Sequence, residues 1–199
     1  MNTVGLIVNP NAGKDIRRIV SYGRFTTDEE KLNIVSRILT GLTDAGVDNV
    51  LAMPDTIGLI KAAVNKSPST IHVEILDMPS FGIDQDTALA TKMMVESGVG
   101  CIVSLGGDGT NRCIAEHSSS TPIVPVSTGT NNVFPVLVEG TTAGLAAGLI
   151  IHAVNDGTNA AFGGGVKGAQ DDRPGYPPIA SMTLYSAAIV AGTWFIVPK

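Results

Sequence analysis

The residues best suited to chemistry stand together at Gly106-Gly107-Asp108-Gly109-Thr110-Asn111, between the apolar run Cys101–Leu105 and a short helical stretch. Three glycines around one carboxylate let backbone N–H groups approach phosphate oxygens closely, and the helix that follows adds the positive end of its dipole. Asp108 in such a turn either takes a proton from an attacking hydroxyl or ligates Mg2+, directly or through water. The plainer reading is a glycine-rich turn with Asp108 as helix cap, and residue types alone leave both open. A free aspartate is a weak base, so burial, a neighbouring carboxylate or tight positioning would have to assist it.

Two more loops share this setting. Asn9-Pro10-Asn11-Ala12-Gly13-Lys14 follows the run Thr3–Val8, and Ser127-Thr128-Gly129-Thr130-Asn131-Asn132 follows Pro122–Val126. Thr130, Asn131 and Asn132 carry neutral donors and acceptors suited to ribose hydroxyls or a base edge; they also fit an Asx-type turn and helix cap. Other patterns dissolve on inspection. Gly13-Lys14 is not a Walker A end, because the required glycine is Val8 and Asp15 replaces Ser/Thr. Gly163-x-Gly165-x-x-Gly168 matches a dinucleotide fingerprint, yet Pro174, Pro177 and Pro178 follow where a helix should form, so it reads as a mobile linker. His72, His117 and His152 are scattered singly.

Charge decides what partners such loops can have. Thirteen basic residues against 18 acidic ones leave a net charge of -5, without a Lys/Arg block, which argues against a nucleic-acid groove or a polybasic membrane surface. A polyphosphate would instead be held by amides and a metal ion. Cys101 and Cys113 are the two cysteines, with no CxxC pair, so two reduced, buried thiols are expected rather than a disulfide framework or zinc site. Met1–Val8 has no basic n-region or cleavage site, so a cytoplasmic location is expected. Ile179–Pro198 is uncharged and long enough to raise a membrane span. Its Ser, Thr and Gly residues and its β-branched and aromatic content fit two buried strands better, and no span is expected.

The elements that must position the loops alternate regularly. Apolar runs at 3–8, 49–53, 71–76, 101–105 and 122–126 read as strands buried on both faces. Between them lie a helix opened by the capping box Thr27-Asp28-Glu29-Glu30 and closing at Gly46, and helices over 55–65, 84–97, 111–117 and 142–154. This βα period predicts an open, mostly parallel three-layer α/β/α sheet of Rossmann-like type over residues 1–158. A Gly/Pro-rich linker is expected over 159–178. Residues 179–199 then read as a β hairpin, the truncated remnant of a second β-rich domain. The 44% apolar content is ample for a core. Unpaired edges in the C-terminal strands predict a homodimer or higher homo-oligomer.

The Gly106–Thr110 sequence also resembles the signature of the superfamily joining NAD kinases with diacylglycerol and sphingosine kinases. Asn9–Lys14 resembles the Asn-Pro turn after the first strand of the lipid kinases, and Ser127–Asn132 the second Gly-Thr loop. The run Thr128–Pro135 with Glu139-Gly140-Thr141 is most similar to the AcoX-like branch of ATP-NAD kinases. The resemblance implies phosphoryl transfer from ATP to a hydroxyl, with Asp108 in the place of the catalytic Asp. Gly106, Gly107, Gly109 and Thr110 match the phosphate-binding loop and Asn9 the Asn near the nucleotide. Asn111, Thr128, Gly129, Thr130, Asn131 and Asn132 complete the nucleotide-binding set, with Asp108 as the Mg2+ ligand.

The implied reaction takes the γ-phosphate of Mg-ATP to the 2′-hydroxyl of NAD. One departure favours a different acceptor: NAD kinases carry Gly-Thr-Leu-Gly-Phe where this chain has Gly129-Thr130-Asn131-Asn132-Val133, nearer to the lipid kinases. A lipid kinase acting on diacylglycerol or a sphingoid base is therefore the second reading. A truncated, non-catalytic module that binds nucleotide or oligomerises is the third, since the family's Asn-Glu motif lies in the β-rich domain that is mostly missing here.

Overall fold

The computed structural model describes residues 2–13, 26–67, 70–128 and 132–155, together with the backbone of 165–167, 182–185 and 195–198. Five runs form parallel strands: β1 (Thr3–Val8), β2 (Asn49–Ala52), β3 (His72–Ile75), β4 (Cys101–Gly106) and β5 (Ile123–Ser127). β4 and β5 are buried throughout and β1 at all but its first residue. This explains why their sequences are continuous apolar runs rather than alternating ones.

The helices are α1 (Asp28–Asp44), α2 (Leu59–Lys66), α3 (Asp84–Glu96), α4 (Asp108–His117) and α5 (Gly140–Asn155). Val35, Ile38, Leu39 and Leu42 of α1, Leu59, Ile60 and Ala63 of α2, and Ala143, Ala147 and Ile151 of α5 share one core with Val4, Leu6, Val8 and Val103 of the sheet. Ala90 and Met94 of α3 and Ile114 of α4 pack with Ile7, Ile102 and Ile123 in a second core. The two cores lie on opposite sheet faces because successive strand residues point opposite ways, as Leu6 and Ile7 do. The result is the expected three-layer, open α/β fold.

The strand order is β3-β2-β1-β4-β5, continued by β8-β7-β6. After β3 the chain crosses back over β1 and β2 to lay β4 on the other side of β1. The loops that leave β1 and β4 therefore diverge, opening a crevice at the carboxyl ends of these strands.

Helix boundaries differ from the sequence expectation where a side chain caps from a distance. Thr27 is the N-cap of α1, its Oγ1 accepting from Glu30 N at 3.1 Å, as the capping box predicts. Asp55 does not begin its helix. Its carboxylate accepts from the N–H groups of Ile57, Leu59 and Ile60 at 3.1, 2.7 and 3.0 Å, so α2 starts at Leu59, after a left-handed Gly58. α4 begins at Asp108, three residues before the expected start at Asn111, because Gly107 takes the N-cap position.

The segment expected as linker contributes strand β6 (Gly165–Lys167), antiparallel to β7 (Met182–Tyr185). This short strand lies within the stretch expected as linker and pairs backbone donors and acceptors along one side of β7. β7 pairs antiparallel with β8 (Phe195–Pro198), and β8 with β5 at Ile123, so these strands extend the main sheet. No described helix is long and apolar enough to cross a membrane.

α1 and α5 pack backbone against backbone. A Cβ on Gly140 would meet Ile34 O at 2.6 Å, one on Gly144 would meet Leu42 N at 2.8 Å, and one on Gly41 would meet Leu145 N at 3.0 Å. Spaced four apart, Gly140, Gly144 and Gly148 form one stripe along α5, facing α1 and the turn that ends it. This contact seats the N-terminus of α5 and anchors α1, which carries the residue that supports the first loop.

Candidate functional site

The site builds from β4. Its last residue, Gly106, is buried, and a Cβ there would stand 2.7 Å from the Thr110 side chain, so this glycine lets α4 turn tightly over its own strand. Gly107 faces Asn132, whose Oδ1 would lie 3.1 Å from an added Cβ. At Gly109 an added Cβ would meet nothing within 4 Å among the described residues. Internal packing thus accounts for Gly106 and bears on Gly107, but leaves open space at Gly109, on the exposed first turn of α4.

Asn111 turns inward. Ser104 Oγ donates to its Oδ1 at 2.6 Å and its Nδ2 donates to Gly107 O at 2.9 Å, so a buried amide ties strand, turn and helix together. Thr110 is also buried, and its Oγ1 accepts from Asn9 Nδ2 at 2.9 Å. Asn9 bridges two loops. Its Oδ1 accepts from Asn11 N at 2.9 Å in an Asx turn, and its backbone N donates to Leu105 O at 3.0 Å.

Asp108 does not cap its own helix. Its carboxylate accepts from Val133 N at 3.0 Å through each oxygen and from Phe134 N at 2.9 Å through Oδ1, reaching the loop that follows β5. Two amide donors fix the orientation of the half-buried carboxylate, while lone pairs remain for a hydroxyl proton or a cation. Asn132 supports the same loop, its Nδ2 donating to Ser127 Oγ at 2.7 Å. Thr128 is buried against Gly13, its carbonyl accepting from Thr26 Oγ1; its own Oγ1 is buried without a hydrogen-bond partner among the described residues. Gly129, Thr130 and Asn131 lie outside the described residues.

The structure thus brings Asn9, Gly106–Asn111, Thr128 and Asn132 together at the carboxyl ends of β1, β4 and β5. Beside them a cleft of about 100 Å³ runs along the ends of β1, β2 and β3, lined among others by Asn9, Asn11, Asp55, Thr56, Ser80 and Asp84. Sequence reasoning missed this cleft because its walls come from separate turns. Asp86, also on its wall, holds one of them, its Oδ2 accepting from Phe81, Gly82 and Ile83 N at 2.7, 2.6 and 3.2 Å. Lys31 was missed too, although a signal was present. It falls on the helical face of Val35, Ile38 and Leu42, where a charge is unexpected.

Among the described residues no group of three or more His, Cys, Asp or Glu could hold a metal ion. A cation at Asp108 would therefore need ligand oxygens and water to complete its shell, as Mg2+ bound through phosphates does. Neither cysteine forms a disulfide; Cys101 is buried as expected, but Cys113, on α4, is only half-buried. Burial pushes the Cys101 thiol up, and burial, with the carboxylates of Asp84 and Glu116, pushes Cys113 up to about 11.

Comparison with known proteins agrees with this geometry. Residues 4–154 match the family model of the ATP-NAD kinase N-terminal domain, a stretch that runs from β1 to the end of α5 and contains all three loops. The chain is 40% identical to "Acetoin catabolism protein X" of Cupriavidus necator over 153 residues, 73% of this chain and 43% of that protein. It therefore spans less than half the length of the curated relative it matches. No solved structure matches the chain. With the Gly-Gly-Asp-Gly turn at the topological switch and the family match extending over every element that builds it, the chain belongs to the ATP-NAD kinase family through its N-terminal domain.

Proposed function

We propose that this chain is the nucleotide-binding part of an NAD kinase-like phosphotransferase, which moves the γ-phosphate of Mg-ATP to the 2′-hydroxyl of NAD. The observation that carries this reading is the Asp108 carboxylate, held by the N–H groups of Val133 and Phe134 beside the open space at Gly109. Phosphate oxygens fit over the first turn of α4, where N–H groups and the helix dipole favour negative charge. The base and ribose would lie over the neighbouring cleft, where Asp84 offers an acceptor to hydroxyl and amino donors.

In this reading Asp108 accepts the proton of the attacking hydroxyl while the hydroxyl oxygen bonds to the γ-phosphorus and the bond from that phosphorus to the β–γ bridging oxygen breaks, releasing ADP. Asp108 is also the carboxylate that would hold Mg2+, which supplies charge neutralisation across the phosphates when bound. Asn9 keeps Thr110 and the turn in register.

Calorimetric titration with Mg-ATP and an assay for NADP formation test the proposal on the wild type and on Asp108→Asn. The substitution should lower turnover about 10²-fold or more while the protein stays folded. Equal turnover in the two proteins would sink it. A lipid hydroxyl as acceptor is the second reading, favoured by exposed Ile57, Phe81 and Ile83 around the cleft, and lipid phosphorylation with vesicle co-sedimentation would reveal it.

A further inference from the structure

One buried charge has no part in the reaction just described. Lys31 lies on α1 with its side chain 0% exposed, and its Nζ donates to the carbonyl of Pro10 in the first loop. Asp28, 47% exposed at its side chain, stands 3.6 Å from the ammonium. Burying an ammonium costs several kcal/mol unless it is paired and hydrogen-bonded, so a lysine on the apolar face of α1 needs a compensating contact. Here it finds a buried carbonyl whose own loss of water must be repaid. The bond is charge-assisted, stronger than a neutral donor would make.

The contact lies upstream of the site. Pro10 follows Asn9, whose amide reaches Thr110 and whose backbone N reaches Leu105 O. The same loop continues to Ala12, whose N donates to Asn9 O at 3.2 Å, and to Gly13 against Thr128. We propose that Lys31 is a positioning residue for nucleotide binding: it clamps the Asn9–Gly13 loop through the Pro10 carbonyl and so holds Asn9, and through it Thr110, in the geometry that receives Mg-ATP. Lys31 touches neither nucleotide nor acceptor.

The inference rests on the nucleotide reading above, and its test separates the two. Backbone amide exchange at Asn11 and Ala12 reports the clamp without any ligand, and Mg-ATP titration reports its consequence. Lys31→Met should speed exchange at these amides at least tenfold relative to the core strands and weaken Mg-ATP binding about tenfold. Lys31→Arg, which keeps charge and donors, should restore both to within about threefold. Should the methionine variant fail to fold, Lys31→Gln, a neutral donor, takes its place with the same expected direction. Unchanged exchange at Asn11 and Ala12 in a folded neutral variant overturns the clamp, whatever the nucleotide does. Faster exchange with wild-type Mg-ATP affinity overturns the positioning role. Faster exchange in a protein whose wild type binds no Mg-ATP upholds the clamp and removes the nucleotide reading instead.

Discussion

The glycines of α5 and those of the β4–α4 turn are the same residue used for opposite ends. Gly140 and Gly144 are filled spaces, where a Cβ would enter the backbone of α1 at 2.6 Å from Ile34 O and 2.8 Å from Leu42 N. At Gly109 an added Cβ would find open space, with nothing within 4 Å among the described residues. A glycine whose missing side chain is occupied by the protein has a structural reason to be there. One whose missing side chain faces nothing leaves room for something else. Gly106 and Gly107 fall between, the first against Thr110 and the second against Asn132. Within one signature, packing and the proposed binding therefore divide the residues.

The largest effect should come at the helix interface. Gly144→Ala raises helix propensity by up to about 1 kcal/mol, yet the added methyl forces α5 away from α1, and a net loss of about 3 kcal/mol is expected. Chemical denaturation measures it; a neutral or stabilised variant would show that the interface yields freely. Gly109→Ala should behave in the reverse sense. Stability should change by less than about 1 kcal/mol, while Mg-ATP affinity falls about tenfold, because the methyl occupies the surface assigned to phosphate. Unaltered affinity would make Gly109 a plain helix residue.

The smallest effect lies at the N-terminus of α5, beside the glycine interface. Burial raises the Glu139 carboxyl, but the N–H groups of Thr141 and Thr142, with the Arg37 guanidinium and Thr141 hydroxyl, outweigh it and hold the group below its ordinary value. A lowered folded-state pKa adds stability above the unfolded value and loses it as pH falls through the folded one. Glu139→Gln should therefore lower Tm slightly at neutral pH, and the difference should close on acidification below the folded pKa. Both side chains are about half exposed, so screening limits the pair to about 0.5 kcal/mol or less. A gap that widened in acid would reverse the assignment.

Much of the fold was legible because local rules and tertiary context agree. The runs 3–8, 101–105 and 122–126 are apolar at nearly every position, which only strands covered on both faces require. Thr27 and Glu30 announced α1 with the bond that the structure contains. The start of α2 was misplaced because Asp55 reaches forward over the turn to cap from outside the helix. Start positions depend on such reach, which spacing does not encode.

The candidate site was legible in the same uneven way. Asp108 and Asn132 were singled out by residue type, Asn9 and Thr110 by the family resemblance, and the four do converge. Asn111 was grouped with the nucleotide residues, yet its amide is spent on Ser104 and Gly107. No residue-type rule distinguishes an asparagine that faces a ligand from one that ties its own turn.

By itself the sequence determined the alternation of strands and helices, the family, and the three loops that carry polar groups. Periodicity and residue chemistry are properties of neighbouring positions along the chain, and these survive without coordinates. Only the tertiary structure decided the rest: that β4 lies beside β1, that Asp108 is held by Val133 and Phe134, that α1 and α5 meet through glycine, and that Lys31 is buried beneath Pro10. Each of these joins residues that the crossovers bring together, and the energy that selects them comes from burial and hydrogen-bond satisfaction in three dimensions.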